Sequence, residues 1–107
     1  MKIVTTGDLG QTPVVIGTLV HASAVSGANI LRDMREAITN TLGGKMTRYE
    51  ALLDRTIDRA LALLEERAAA AGFDGVLDVR ISHPHITDGA IEVVVVGTGF
   101  NYATPRM

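Results

Sequence analysis

The chain of 107 residues contains no cysteine and no tryptophan, and it has only two phenylalanines and two tyrosines. The lack of cysteine excludes disulfides, zinc–thiolate centres, iron–sulfur clusters and cysteine nucleophiles. Aromatic residues make up 4% of the sequence and hydrophobic residues 47%, so the core must be built from valine, isoleucine, leucine and alanine. A chain of this length forms one domain, which we expect to cover residues 1–107.

An excess of charge of one sign is also missing. Ten basic and twelve acidic residues give a net charge of −2, which provides no electrostatic surface for nucleic acid or for an anionic membrane. No aliphatic run approaches the length of a membrane span, and Asp8 interrupts the first residues before the apolar core of a signal peptide could form. We therefore expect a cytoplasmic protein that binds neither nucleic acid nor membrane.

The most informative stretch runs from residue 43 to residue 81 and reads as a glycine turn, a long helix and a strand. Thr47 is followed three residues later by Glu50, which is the spacing of a capping box and predicts that the helix begins at Thr47. Gly72 follows an alanine run and predicts the end of the helix. Apolar residues recur between them at spacings of three and four and draw a single stripe, made of Leu53, Ile57, Ala60, Leu61, Leu64, Ala68 and Ala71.

Four strands are predicted around this helix, at Ile3–Thr6, Val14–Val20, Leu77–Ile81 and Ile91–Val96. Gly17 indicates a bulge in the second strand. In the third strand Leu77, Val79 and Ile81 alternate with polar residues, which predicts one buried and one polar face. Asp88-Gly89 is typical of a hairpin turn between the last two strands.

A second, shorter helix is predicted from Asn29, a good N-cap, to Leu42, with Gly43 after its last turn. The short glycine link to the long helix then predicts a helical hairpin. The expected fold class is α+β, with a four-stranded, mainly antiparallel sheet and the two-helix hairpin packed on one face.

The fourth strand predicts more than a fold. Val93–Val96 place apolar side chains on both faces of the strand, and the second strand is almost as apolar. Burial on both faces requires cover on both faces, whereas two helices can cover only one. We therefore predict that the other face of the sheet, or its edges, is buried by copies of the same chain.

Short motifs follow one another in an order that resembles a known family. The motifs are Thr5-Thr6, Gly27-Ala28-Asn29, Arg32-Asp33, Gly43-Gly44-Lys45, Tyr49-Glu50, Arg59-Ala60-Leu61, Ala71-Gly72, Gly75-Val76 and Gly97-Thr98-Gly99. Their order resembles the YbjQ-type family of small bacterial proteins over nearly the whole chain. The resemblance implies an α+β subunit assembled as a ring-like homo-oligomer, with a pentamer favoured, and no established enzymatic activity. It also carries a heavy-metal-binding label, which is a conjecture attached to the family as a whole.

Three side chains in the last loop are candidate metal ligands. His83 and His85 are two residues apart, so on an extended backbone their rings point to one side, and Asp88 adds a carboxylate. Imidazole with carboxylate suits zinc, copper or nickel. A further ligand would come from His21 or from a neighbouring subunit. The alternative is a polar hairpin loop whose histidines face water.

Other chemistry has weaker support in the sequence. Gly43-Gly44-Lys45-Met46-Thr47 lacks the spacing of a P-loop and is interpreted as a turn, with a small anion at Thr47 as the alternative. No constellation of catalytic residues is recognised, and a distant alternative is an enzyme site at a subunit interface near Lys45, Tyr49 and Arg59. The sequence thus predicts a self-assembling, non-enzymatic module, with metal-ion binding as the alternative function.

Overall fold

The structure, a computed structural model, describes residues 1–27, 44–84 and 90–103, with the backbone alone for residues 44–49. These residues form four strands and one α-helix. The elements are β1 (Lys2–Ile3), β2 (Val14–Ser26), α1 (Gly44–Ala70), β3 (Gly75–Ser82) and β4 (Ile91–Tyr102). The α+β class is confirmed. The first helix of the predicted hairpin falls on residues 28–43, outside the described residues, so a two-helix hairpin is not shown and α1 is the single helix of the described part.

The four strands form one sheet in the order β1-β3-β4-β2. β4 pairs antiparallel with both β3 and β2, whereas β1 pairs parallel with β3. The sheet is therefore mixed rather than purely antiparallel. The parallel pair is possible because β2 and α1 separate β1 from β3 along the chain and supply a long crossover. The predicted antiparallel pairing of β3 with β4 and the predicted bulge at Gly17, between Ile16 and Leu19, are confirmed, whereas the predicted turn at Asp88-Gly89 lies outside the described residues.

The end of α1 is the boundary that the sequence predicts best. Gly72 has a φ of 84°, its N–H donates to the carbonyl of Ala69 at 3.0 Å, and the N–H of Phe73 donates to the carbonyl of Ala68 at 3.0 Å. These two bonds are the Schellman pattern expected of a left-handed glycine after a helix. The predicted start is wrong, because α1 begins at Gly44 and Thr47 lies inside its first turn. A glycine is tolerated there since the first amides have no intrahelical partner.

The main core lies between α1 and the sheet and is built from small aliphatic side chains, as the composition predicts. Ala22, Ala60 and Ala68 are fully buried, which brings the backbone of the helix close to the sheet. The other buried members of this helix-facing cluster are Val20, Ala24, Leu52, Leu64, Val76, Val79, Ile91, Val93 and Val95. The cluster thus takes side chains from only one face of each strand.

One pair of hydroxyls is buried where β2 ends against α1. The Ser26 and Thr56 hydroxyl oxygens are 2.5 Å apart, and the Thr56 hydroxyl donates to the carbonyl of Leu52 at 2.7 Å. Ser26 is therefore the donor to Thr56, and both hydroxyls are satisfied. A buried hydroxyl without such a partner would cost about 1–3 kcal/mol.

A bulge in β3 changes which side chains share a face. Asp78 has a φ of 53°, and the register shifts between Leu77, opposite Thr98, and Arg80, opposite Val96. Since Thr98 and Val96 are two residues apart on one strand, Leu77 and Arg80 lie on the same face. The prediction that Leu77 shares a buried face with Val79 and Ile81 is therefore wrong. Ile81 is also 50% exposed.

The segment that follows β1 holds this bulge in place. The N–H of Asp78 donates to the carbonyl of Thr6 at 2.8 Å, and the N–H of Val79 donates to the carbonyl of Val4 at 3.0 Å. The Arg80 guanidinium bonds the Asp78 carboxylate at 2.7 Å and the carbonyl of Thr5 at 2.9 Å. A left-handed conformation is costly for a residue with a side chain, so these contacts compensate for local backbone strain.

Two glycines make room for the Phe73 ring behind the end of α1. A β-carbon added at Gly99 would collide with the ring, and one added at Gly17 would collide with the ring and lie 2.8 Å from the carbonyl oxygen of Gly99. The ring can move, but the carbonyl belongs to the β4 backbone and cannot. Gly17 is therefore required by the close approach of β2 to β4.

We expect Gly17→Ala to destabilise the fold by about 1–3 kcal/mol, because the methyl group would meet the carbonyl oxygen of Gly99 and force β2 away from β4. Gly7→Ala is the matched control, since Gly7 is exposed and nothing lies within 4 Å of an added β-carbon. Urea unfolding at one fixed protein concentration measures both changes. Equal midpoints for the two variants would contradict the packing described here.

Candidate functional site

The sheet face turned away from α1 contributes no side chain to the helix-facing cluster, and we call it the open face. Register places His21, Val96 and Arg80 side by side, and Ser23, Val94 and Ser82 in the next row. By the same registers the remaining residues of the open face are Val14, Ile16, Leu19, Val25, Gly75, Leu77, Glu92, Thr98, Phe100 and Tyr102. No residue of the helix-facing cluster belongs to it.

The open face carries apolar side chains on its β1 side and on its β2 side, but only those on the β1 side are buried. At the end near β1, Leu77 and Phe100 are fully buried, and the Phe100 ring packs edge-on against Tyr102 with centroids 5.5 Å apart. Along β2, Leu19 is 65% exposed and Val25 is 53% exposed. Ile16 is 59% exposed, and Val94 and Val96 are half-buried. We call these five side chains, Ile16, Leu19, Val25, Val94 and Val96, the apolar band, and His21 and Ser23 lie among them. Exposed apolar side chains grouped on one face are typical of an interaction surface.

The outer edge of β2 is contacted by two arginines of α1. The Arg67 guanidinium donates to the carbonyl of His21 at 2.9 Å, and the Arg59 guanidinium approaches the carbonyl of Val25 at 3.5 Å. β2 is the last strand of the described sheet, so these carbonyls would otherwise face water. Both arginines lie outside the apolar stripe predicted for this helix. The eight-residue spacing between them, which keeps both on one side of the helix, was the signal available.

The candidate metal ligands are only partly within the described structure. His21 is exposed on the open face, and His83 is exposed just after β3, whereas His85 and Asp88 lie outside the described residues. His83 is three residues beyond Arg80, which is level with His21 two strands away, so the two backbones are about 14 Å apart. No group of three or more histidine or carboxylate ligands occurs among residues 1–27, 44–84 and 90–103. The metal site stays a prediction.

A cleft of about 900 Å³ opens where the first residues cross the end of β4. Its polar wall includes Lys2, Asp8, Asp74 and Tyr102. The two carboxylates already accept backbone hydrogen bonds, Asp8 from Gly10 and Asp74 from Tyr102, both at 2.9 Å. Charges of both signs line the cleft, so it does not select one class of ligand.

The predicted anion site and the distant enzyme site cannot be located in the described structure. The side chains of Lys45, Thr47 and Tyr49 lie outside the description, so neither the anion site nor the distant enzyme site can be assembled from it. Arg59, the third member of that enzyme site, lies at the β2 edge instead. In the described residues, no helix is both long enough and apolar enough to cross a membrane.

Comparison with solved structures shows the fold of the chain. The structure superposes on the crystal structure of a protein of unknown function of the DUF74 family from Pediococcus pentosaceus, with a TM-score of 0.68. The match covers 95% of this chain and 97% of the other at 17% sequence identity. At that identity the likeness shows a shared fold alone.

Comparison with curated sequences finds uncharacterised bacterial and archaeal relatives. A UPF0145 protein of Halobacterium salinarum is 33% identical over 85 residues, covering 79% of this chain and 82% of the relative. A UPF0145 protein of Synechococcus is 36% identical over 80 residues, covering 75% of this chain and 77% of the relative. One from Bacillus cereus is 29% identical over 94 residues, covering 88% and 91%.

The model of one protein family matches residues 1–103, which is nearly the whole chain. The description of that family is "Putative heavy-metal-binding". The match confirms the resemblance drawn from the order of the short motifs, and it agrees with the UPF0145 relatives and with the shared fold. The chain belongs to the YbjQ_1 family.

Proposed function

We propose that this chain is a self-associating, non-enzymatic module of the cytoplasm, in which copies of the chain cover one another's open faces. The favoured assembly is the pentameric ring that the family resemblance implies. The proposed subunit includes the predicted helix over residues 29–42, which would complete a helical hairpin with α1. The observation that carries the proposal is the exposed apolar band of Leu19 and Val25 on β2.

Covering the apolar band would contribute free energy to association, but less than association costs if only the exposed side chains of β2 are counted. Complete burial of a valine, leucine or isoleucine side chain contributes about 1.5–3 kcal/mol. Ile16, Leu19 and Val25 are each between 53% and 65% exposed, so covering all three would contribute on the order of 3–5 kcal/mol per copy. Association costs about 4–15 kcal/mol, so the half-buried valines of β4 must take part as well.

The positions of the charged groups on the open face are also compatible with a contact between copies. Arg80 is engaged with Asp78 and with the carbonyl of Thr5, so its charge is partly neutralised. The buried carboxylate of Glu92 lies at the end of the face next to Val25. In the middle of the face, the row between these two groups carries Ser23, Val94 and Ser82, and His21 and Val96 share the row of Arg80. A second copy can therefore cover this middle without burying an unpaired charge.

We expect Leu19→Glu to lower the mass of the assembly, because it places carboxylates in the proposed contact between copies. Val15→Glu is the matched control. Val15 is 57% exposed on the same strand, but its partner Asn101 places it on the opposite face from Ile16. Size-exclusion chromatography with light scattering measures both masses. If Leu19→Glu keeps the wild-type mass, the open face is not the contact.

Metal-ion binding is the second candidate function, and the family description is the specific observation that favours it. His83 stands exposed at the start of the β3–β4 connection, next to the predicted ligands His85 and Asp88. Neutral imidazoles and a carboxylate suit zinc, copper or nickel. Copies arranged in a ring would bring several such connections to the same end of the assembly and so repeat the ligands.

Calorimetric titration of the purified chain with zinc, copper and nickel tests this candidate. We expect micromolar binding that is abolished in His83→Ala/His85→Ala, because two imidazoles would be removed from each site. His21→Ala is the control for the loop, and retained binding in that variant shows that His21 is not a ligand. Absence of heat with all three metals would remove metal binding from consideration.

A further inference from the structure

The outer edge of β2 carries more hydrogen-bond donors than acceptors. In an antiparallel pair, alternate residues direct both backbone polar groups toward the partner strand, and the residues between direct both groups outward. The arginine contacts identify His21 and Val25 as outward-facing residues, and Ser23 joins them by alternation. Three N–H groups therefore face outward, while two of the three outward carbonyls are already contacted by guanidinium groups.

The two arginines add further donors at a spacing that matches the strand. Arg59 and Arg67 are eight residues apart on α1, about 12 Å along the helix axis. Val25 and His21 are four residues apart on β2, about 13 Å along the strand. Each guanidinium has five N–H donors and is exposed, and within the described residues no carboxylate lies within 4.0 Å of either one.

We infer that the outer edge of β2 binds an extended peptide segment of another protein that carries two acidic side chains four residues apart. The peptide would add as a fifth strand, with its carbonyls accepting from the N–H groups of His21, Ser23 and Val25. Side chains on an added strand alternate between the two faces of the sheet. Its two carboxylates, both on the helix side, would then reach Arg59 and Arg67 in charge-assisted hydrogen bonds.

The residue midway between the two acids is also specified by the structure. Leu63 lies on α1 halfway between the arginines, and its side chain is half-buried. The middle residue of the peptide faces the same side as the acids, so an apolar side chain there would cover the exposed part of Leu63. The ligand is thus an extended segment with the pattern acid, any residue, apolar residue, any residue, acid.

A second copy of the chain offers this spacing outside α1 only in strands that are already paired. The sequence has two such pairs of acidic residues four apart, Asp74 with Asp78 and Asp88 with Glu92. Asp78 belongs to β3, whose two sides are occupied by β1 and β4, and Glu92 belongs to β4, whose two sides are occupied by β3 and β2. The inferred ligand therefore comes from a different protein. The inference goes beyond the proposed self-association, since that proposal uses the open face and this one uses the edge of the same strand.

Fluorescence anisotropy with a labelled synthetic peptide tests the inference on the full chain. The probe has two glutamates four residues apart with a valine midway and threonines elsewhere, and the control peptide has glutamine in place of both glutamates. We expect saturable binding of the probe, weakened at least tenfold in the control peptide and in the variant Arg59→Gln/Arg67→Gln. Arg55→Gln removes the same charge from an exposed position of α1 and is expected to change the affinity less than twofold.

Backbone pairing is tested separately with a probe that is N-methylated at alternate residues on its sheet-facing edge, which is expected to abolish binding. No saturable binding of the probe would overturn the inference, as would equal binding of the two peptides or of the two arginine variants. The comparison of the two peptides stands even if Arg59→Gln/Arg67→Gln does not fold. Light scattering of the wild-type chain with and without the probe separates this outcome from self-association, because peptide binding at the edge should leave the mass of the assembly unchanged.

Discussion

A single helix can cover only one face of a sheet, and the central strand of this sheet is apolar on both. Val93 and Val95 of β4 are buried beneath α1, whereas Val94 and Val96 point to the other side and are only half-buried. Among the described residues no element lies over the middle of that second face. The exposed leucine and valine of β2 follow from the same constraint, which the proposed self-association would satisfy.

Local contacts protect the two edges of this sheet. At one end the bulge at Asp78 turns Leu77 to the open face, where it is buried as fully as Phe100. At the far edge, Arg59 and Arg67 contact carbonyls of β2 that a paired strand would otherwise use. Charged side chains on an edge strand commonly oppose indiscriminate pairing. The same arginines make the edge selective for a partner that brings carboxylates.

Sequence patterns predicted the features that depend on local chemistry. Gly72 marked the end of α1 because a left-handed residue is needed there, and Gly17 marked a bulge because no side chain fits beside Gly99. The bulge at Asp78 had no such signal, since a positive φ is uncommon for residues other than glycine and the contacts that hold the bulge come from residues 4–6. The contacts of Arg67 with β2 depend on packing between distant parts of the chain, which periodicity alone does not show.

The sequence predicted that an apolar face is uncovered, but it did not predict which strand carries the exposed side chains. The two-sided apolar pattern of β4 in the sequence indicated an uncovered face, but β2, not β4, carries the most exposed apolar side chains of that face. One copy of the chain leaves apolar surface in water, and we propose that other copies cover it. Sedimentation equilibrium of the purified chain at micromolar concentration determines the mass of the species in solution. We expect an integral multiple of 11.3 kDa, with five copies favoured, and a single species of 11.3 kDa would show that copies do not associate.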